Sequence, residues 1–169
     1  AQGKDIFIFS MPLLSRPVMV TYMKGRVIDA VNNRLLGAQF ELIDLDSGRE
    51  LYKSSSDSIT GEFVVSIPVN HNYLLNVSRK GYLFYSGNFS LKGIFHAGKP
   101  YLKDVPLQPI QIGKSNVLKN VFYETDSYAL KEESVAELEK LVLFLAENPG
   151  IRIDISGHTD NTGSGEYNL

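Results

Sequence analysis

The chain has 169 residues, 17 Lys and Arg against 19 Asp and Glu for a formal net charge of −2, 43% hydrophobic residues, and neither Cys nor Trp. This is a foldable globular composition that excludes disorder, collagen and coiled coil as global descriptions, and without Cys there are no disulfide frameworks, thiolate catalysis or Cys-ligated zinc. No apolar run approaches the ~18 residues that a membrane helix needs, and the basic cluster with interleaved aromatics that marks a nucleic-acid binder is missing.

The first apolar stretch, residues 6–14, reads as strand rather than signal-peptide core, because Asp5 precedes it and Pro12 interrupts it. From Val18 to Pro109 the period is two. Ala38, Phe40 and Leu42 alternate with Gln39 and Glu41, then Phe63, Val65 and Ile67 with Glu62 and Ser66, then Tyr73, Leu75 and Val77 with Asn76 and Ser78. Such runs bury one face each, and Asn32-Asn33, Asp46-Ser47-Gly48, Thr60-Gly61 and Lys80-Gly81 between them supply turn chemistry, so the pattern predicts an antiparallel β-sandwich. Tyr82, Phe84, Tyr85 and Phe89 read as core rather than as a docking patch. His71 and His96 read as surface histidines.

Past Pro109 the character changes. Residues 1–110 carry 12 basic and 9 acidic side chains, residues 111–169 carry 5 basic and 10 acidic, and residues 111–115 read as the linker between two regions. Residues 117–123 are strand-like. From Lys131, Val135, Leu138, Leu141, Val142 and Leu145 follow helical spacing, with Glu132 and Glu133 in the first turn and Asn148-Pro149-Gly150 as the stop. Ile151, Ile153 and Ile155 then alternate with Arg152 and Asp154, predicting a strand that enters the loop 157–165. The fold class expected is mainly β, a sandwich followed by an incomplete βαβ unit.

Gly157-His158-Thr159-Asp160-Asn161-Thr162-Gly163, followed by Tyr167-Asn168-Leu169, resembles the signature of the OmpA-like peptidoglycan-binding domain. Residues 120–130, Asn-Val-Phe-Tyr-Glu-Thr-Asp-Ser-Tyr-Ala-Leu, resemble that family's first strand and loop at a compatible distance. The resemblance implies a non-catalytic domain that grips the diaminopimelate of the peptidoglycan stem peptide. Its side chain ends in an ammonium and a carboxylate, so a site needs a fixed anion for the first and clustered donors for the second. Asp160 is the anion, the loop that opens at Gly157 and His158 offers backbone N–H groups, Thr159 and Asn168 add neutral hydrogen bonds, and Asp126 matches the polar position of the upstream loop. The family's Arg belongs to a following helix, a position that no residue of this sequence occupies. Read without the resemblance, the loop is a Gly/Asn/Asp turn whose Asp caps a helix.

His158 with Asp160 lacks a third ligand nearby, and Ser156, His158 and Asp160 are too close in sequence for a triad, so no metal, cofactor or catalytic group is expected. Lys24 to Asp29, Leu35 to Ala38, Asp57 to Phe63 and Tyr73 to Tyr82 resemble the carboxypeptidase regulatory-like, transthyretin-type sandwich, a likeness of fold without peptidase activity. Gly3 to Phe7 and the following residues 10–17 are similar to the last strand and exit of tandem β-propeller repeats.

Together these resemblances imply residues 1–17 as an exit strand or linker, 18–110 as sandwich and 111–169 as the N-terminal part of an OmpA-like domain, in the middle of a longer polypeptide. They imply a periplasmic, outer-membrane-associated protein of Bacteroidetes-type Gram-negative bacteria, not an enzyme, that tethers an envelope assembly such as secretion or motility machinery to the wall. The competing readings are a structural spacer that binds no ligand and a cell-wall hydrolase, which would need a nucleophile or metal not seen in this stretch.

Overall fold

A computed structural model describes residues 10–12, 15–93, 100–124 and 127–157. Its strands are β1 (Val20–Asp29), β2 (Gln39–Asp44), β3 (Arg49–Ser55), β4 (Glu62–Pro68), β5 (Asn72–Ser78), β6 (Tyr85–Ser90), β7 (Tyr101–Leu102) and β8 (Val105–Leu107), and its helix is α1 (Val135–Glu147). One sheet runs β4-β1-β7, with β8 also on β1; the other runs β3-β2-β5-β6.

The alternation read from the sequence places the core between these sheets. Met23 and Val27 of β1, Phe63 and Ile67 of β4, and Val105 and Leu107 of β8 pack against Phe40 and Leu42 of β2 and Tyr73, Leu75 and Val77 of β5. Phe84 is buried, and Tyr82, Tyr85 and Phe89 pack against the cluster, so the aromatic run is core. The turns follow the expected chemistry: Asn33 and Gly61 have φ of 59° and 64°. At Asp57, the Oδ1 accepts from the N–H groups of Ile59 and Thr60, which closes the β3–β4 turn locally.

The expectation of a wholly antiparallel sandwich is corrected in one sheet. β7 and β8 pair parallel to β1, Met23 facing Tyr101 and Val27 facing Val105. The reason is topological: the chain leaves β6 in one sheet and crosses to the other, and a crossing connection can deliver a parallel strand where a tight hairpin cannot.

The helix forms where expected, preceded by a 3₁₀ turn at Glu132–Ser134 and ended at Asn148, whose N–H donates to Leu145 O. Its seated face is rotated from the one that the apolar spacing indicates. Leu138, Leu141 and Leu145 are half-buried as expected and Glu137 and Phe144 are buried, whereas Val135 and Val142 of the expected face are exposed. The cause is polar: Glu137 accepts from Ser86 and from Asn120 Nδ2 (3.0 Å), and Lys140 donates to Glu41 of β2. Phe144 meets Phe84 at 6.0 Å between ring centroids. α1 therefore covers the outward face of the second sheet at Glu41 and Ser86, between which Asn76 lies buried, while the buried Leu74 shares a cleft with Asn120, Val121 and Phe122.

Two expected strands form no ladder among the described residues. In the stretch 117–123 the sole pairing is an isolated bridge between Tyr123 and Leu130, and residues 151–157 pair with nothing. The βαβ unit is therefore absent as a hydrogen-bonded element from the described residues. Alternation is necessary for a half-buried strand but not sufficient, since a strand also needs a neighbouring edge; without one, Ile155 stands 73% exposed.

Four carboxyls among the described residues titrate low in this fold, one of them Asp46, which the Lys92 ammonium holds below its ordinary 3.8. Asp57 is held below its ordinary 3.8 by the backbone N–H groups of Thr60 and Ile59, and Asp29 by the N–H of Val31, with further donation from the Tyr82 hydroxyl. Burial pushes Glu41 up, but the Lys140 and Lys53 ammoniums more than offset it and leave it below 4.5. A carboxyl whose folded value is depressed contributes stability that is complete above its unfolded value and is lost as pH falls through the folded one. The melting temperature is accordingly expected to hold from neutral pH down to about 4.5 and to fall steadily below it. Asp57→Asn should flatten that acid slope, as thermal melts at several pH values will show.

Candidate functional site

The segment that bears the motifs is positioned by the helix and by a short loop before it. Glu124 N–H donates to Ala129 O and Lys131 N–H to Phe122 O, both at 2.9 Å, so the Tyr123–Leu130 bridge holds residues 122–124 against residues 129–131 in a short loop. Ser134, fully buried at the start of α1, fastens that loop to the helix. Its Oγ accepts from Phe122 N–H at 2.7 Å and donates to Phe122 O at 2.9 Å. The hydroxyl thus replaces a missing strand partner, which is why it makes no capping bond to its own helix.

Beneath the loop, Asn120 is 3% exposed and joins the segment to the sheet, its amide donating both to Ser86 Oγ and to Glu137 Oε2 at 3.0 Å. Beside it lies a cleft of about 480 Å³ whose walls include Leu45, Leu74, Asn88, Phe122, Lys131 and Glu133. A second groove, about 580 Å³, has Ser55, Ser58, Ser78, Arg79, Lys80 and Glu147 in its wall. There Arg79 donates to Gly37 O, and its guanidinium stands 5.9 Å from the Tyr82 ring centre.

At the far end of α1, Asn148 Nδ2 donates to Phe144 O at 2.8 Å and Ile151 N–H to Asn148 O at 3.0 Å, which turns the chain out of the helix. Residues 152–157 follow, exposed, ending at Gly157. Of the ligand-binding residues read from the sequence, Gly157 is therefore placed, on an exposed stretch beyond the helix. Asp126, His158, Thr159, Asp160 and Asn168 lie outside the described residues.

Sequence reasoning missed two features. Asn120 and Glu137 were legible as motif and helix residues, but their pairing with Ser86 depends on a docking that no local pattern announces. His71, read as a surface histidine, has its Nδ1 2.9 Å from Asp44 Oδ2. The Asp44-Leu45-Asp46 spacing in a turn was the available signal.

No family model matches the chain. It is 39% identical over 54 residues to a peptidoglycan-associated lipoprotein of Rhizobium meliloti (strain 1021), covering 32% of this chain and 31% of the relative. An outer membrane protein, Omp38 of Acinetobacter baumannii, is 28% identical over 89 residues, covering 48% of this chain and 25% of the relative. The chain thus spans about a third or less of the length of these curated relatives. These partial similarities support an OmpA-like domain in the chain. Among solved structures, the Bacillus anthracis TIE protein matches at a TM-score of 0.45 with 20% identity, over 54% of this chain and 18% of that one. Among the described residues no helix is long and apolar enough to cross a membrane.

Proposed function

We propose that the chain is part of a non-catalytic anchor that binds peptidoglycan and holds an envelope assembly, secretion or motility machinery among the candidates, to the wall at the periplasmic side of the outer membrane. In this reading residues 111–169 are the N-terminal part of the OmpA-like domain, and residues 18–110, a carboxypeptidase regulatory-like sandwich, present it. Asp160 receives the diaminopimelate ammonium. The backbone from Gly157 and His158 receives the carboxylate, and Thr159, Asn168 and Asp126 add hydrogen bonds.

The observation that carries the reading is the ordered pair of motifs, residues 120–130 and 157–169, on either side of α1, in a chain with partial similarity to peptidoglycan-associated lipoproteins. The relatives' names give the ligand class, and the motif residues give the chemistry that recognises it. Neither motif supplies a nucleophile with its base, which favours binding over hydrolysis.

Incubation with purified peptidoglycan sacculi, followed by sedimentation and analysis of the supernatant, separates the readings. The anchor co-sediments and releases no muropeptides. Released muropeptides would establish a hydrolase, and a folded protein that stays wholly in the supernatant would establish a spacer.

A further inference from the structure

The connections at one end of the second sheet converge on a set of groups that the peptidoglycan reading does not use. Asp44 closes β2, Asp46 lies in the turn to β3, and His71 immediately precedes β5. One oxygen of each carboxylate and one nitrogen of the imidazole lie within 4.8 Å of one another. His71 Nδ1 is 2.9 Å from Asp44 Oδ2 and 4.0 Å from Asp46 Oδ2.

We propose that Asp44, Asp46 and His71 form a binding site for a first-row divalent cation such as Zn²⁺ or Mn²⁺. Two observations beyond the clustering carry this. The Asp44 side chain is only 6% exposed, so its charge has little water to solvate it. His71 Nδ1 is itself buried and makes no aligned hydrogen bond, although a carboxylate oxygen stands 2.9 Å away. A buried oxygen and a buried nitrogen at that separation are spaced as neighbouring ligands of one small cation are.

The remaining contacts hold the carboxylates in place. Asp44 Oδ1 accepts from the N–H of Asp46 at 2.9 Å. Asp46 Oδ1 accepts from Asn72 Nδ2 at 2.9 Å and Lys92 Nζ at 3.0 Å, and its Oδ2 from Asn72 N–H at 3.1 Å. Asp44 Oδ2 and Asp46 Oδ2 face His71 Nδ1 at 2.9 and 4.0 Å, the Asp46 oxygen offering the lone pair that Asn72 N–H does not use. One imidazole nitrogen with two carboxylate oxygens suits the borderline divalent metals, and the half-exposed sides of His71 and Asp46 let water complete the coordination. The Lys92 ammonium works against the site, because it already neutralises part of the Asp46 charge.

The test is calorimetric titration of Zn²⁺, and separately Mn²⁺, into the chelator-treated chain, with Mn²⁺ line broadening read in the amide spectrum. The proposal predicts saturable one-to-one binding, with broadening centred on residues 44–46 and 70–72. His71→Ala, a change at a partly exposed side chain, should weaken binding about tenfold or more, and Lys92→Met should tighten it. No saturable binding at millimolar metal overturns the proposal and leaves the His71–Asp44 contact as a local polar pair. Binding that His71→Ala leaves unchanged, or broadening centred elsewhere, overturns it as well. Asp160→Ala should leave metal binding unaffected, which keeps this result separate from the peptidoglycan reading.

Discussion

Gly25→Ala should lower the unfolding free energy by about 3 kcal/mol, at the upper end of what overpacking a close-fitted core costs. Gly25 lies on the inward side of β1, opposite Phe63 in β4 and beside the link between β7 and β8. A Cβ added there would sit 1.9 Å from the backbone oxygen of Lys103 and 2.8 Å from the end of the Phe63 ring. The first of these neighbours is main chain and cannot rotate away. The backbone would have to part at the point where Lys103 N–H donates to Lys24 O at 3.0 Å, and this is where the parallel strands join the sheet. Urea unfolding is the check, with Gly150→Ala as the control, since a Cβ at Gly150 meets nothing within 4 Å. An unchanged midpoint for Gly25→Ala would show that β7 and β8 do not pack on β1 in this register.

Leu75→Ala should cost about 3 to 4 kcal/mol, within the range for truncating a fully buried leucine. Leu75 is at the middle of β5, flanked in the sheet by Leu42 and Gly87, and has no exposed surface. The neighbour on one side is a glycine, so no adjacent side chain there is available to fill the space. The removed methyl groups leave a cavity whose lining loses its contacts outright. The expected reading is a lower denaturation midpoint with an unchanged slope, which marks a loss of stability rather than a change in the compactness of either state.

Much of the two-sheet architecture is legible in the sequence because its determinants are local. Phe63, Val65 and Ile67 name their buried side by alternation alone, and Asn33 and Gly61 mark turns through a backbone conformation that few residues accept. The parallel placement of β7 and β8 is not legible, because two strands of two and three residues, one containing Pro106, are too short to show a period. The helix shows the same limit from the other direction. Its limits were marked by Glu132 and by Asn148-Pro149-Gly150, but its orientation depends on Glu137 finding Ser86, 51 residues away in the chain. Hydrophobic spacing does not register a buried carboxylate that is satisfied by distant donors.

The candidate site divides similarly. The loop signature at residues 157–163 is readable because its glycines and Asp160 occur at the spacing of a known motif, and of these residues the structure describes Gly157. The buttress formed by Ser134 with Phe122, and by Asn120 with Glu137, is a matter of packing and became visible with coordinates. So did the approach of His71 to Asp44, which come from connections far apart in sequence.

In the proposed anchor, Asp160 meets the ammonium of diaminopimelate. Calorimetric titration of a diaminopimelate-containing stem peptide into the intact protein, alongside its Asp160→Ala variant and a peptide with lysine in place of diaminopimelate, tests it most directly. The account predicts saturable binding that weakens about 100-fold or more in the variant, as expected when one partner of a hydrogen-bonded charge pair is removed, and that is likewise lost with the lysine peptide, which lacks the second carboxylate. Binding that survives Asp160→Ala undiminished, or no binding by the folded protein, would contradict it.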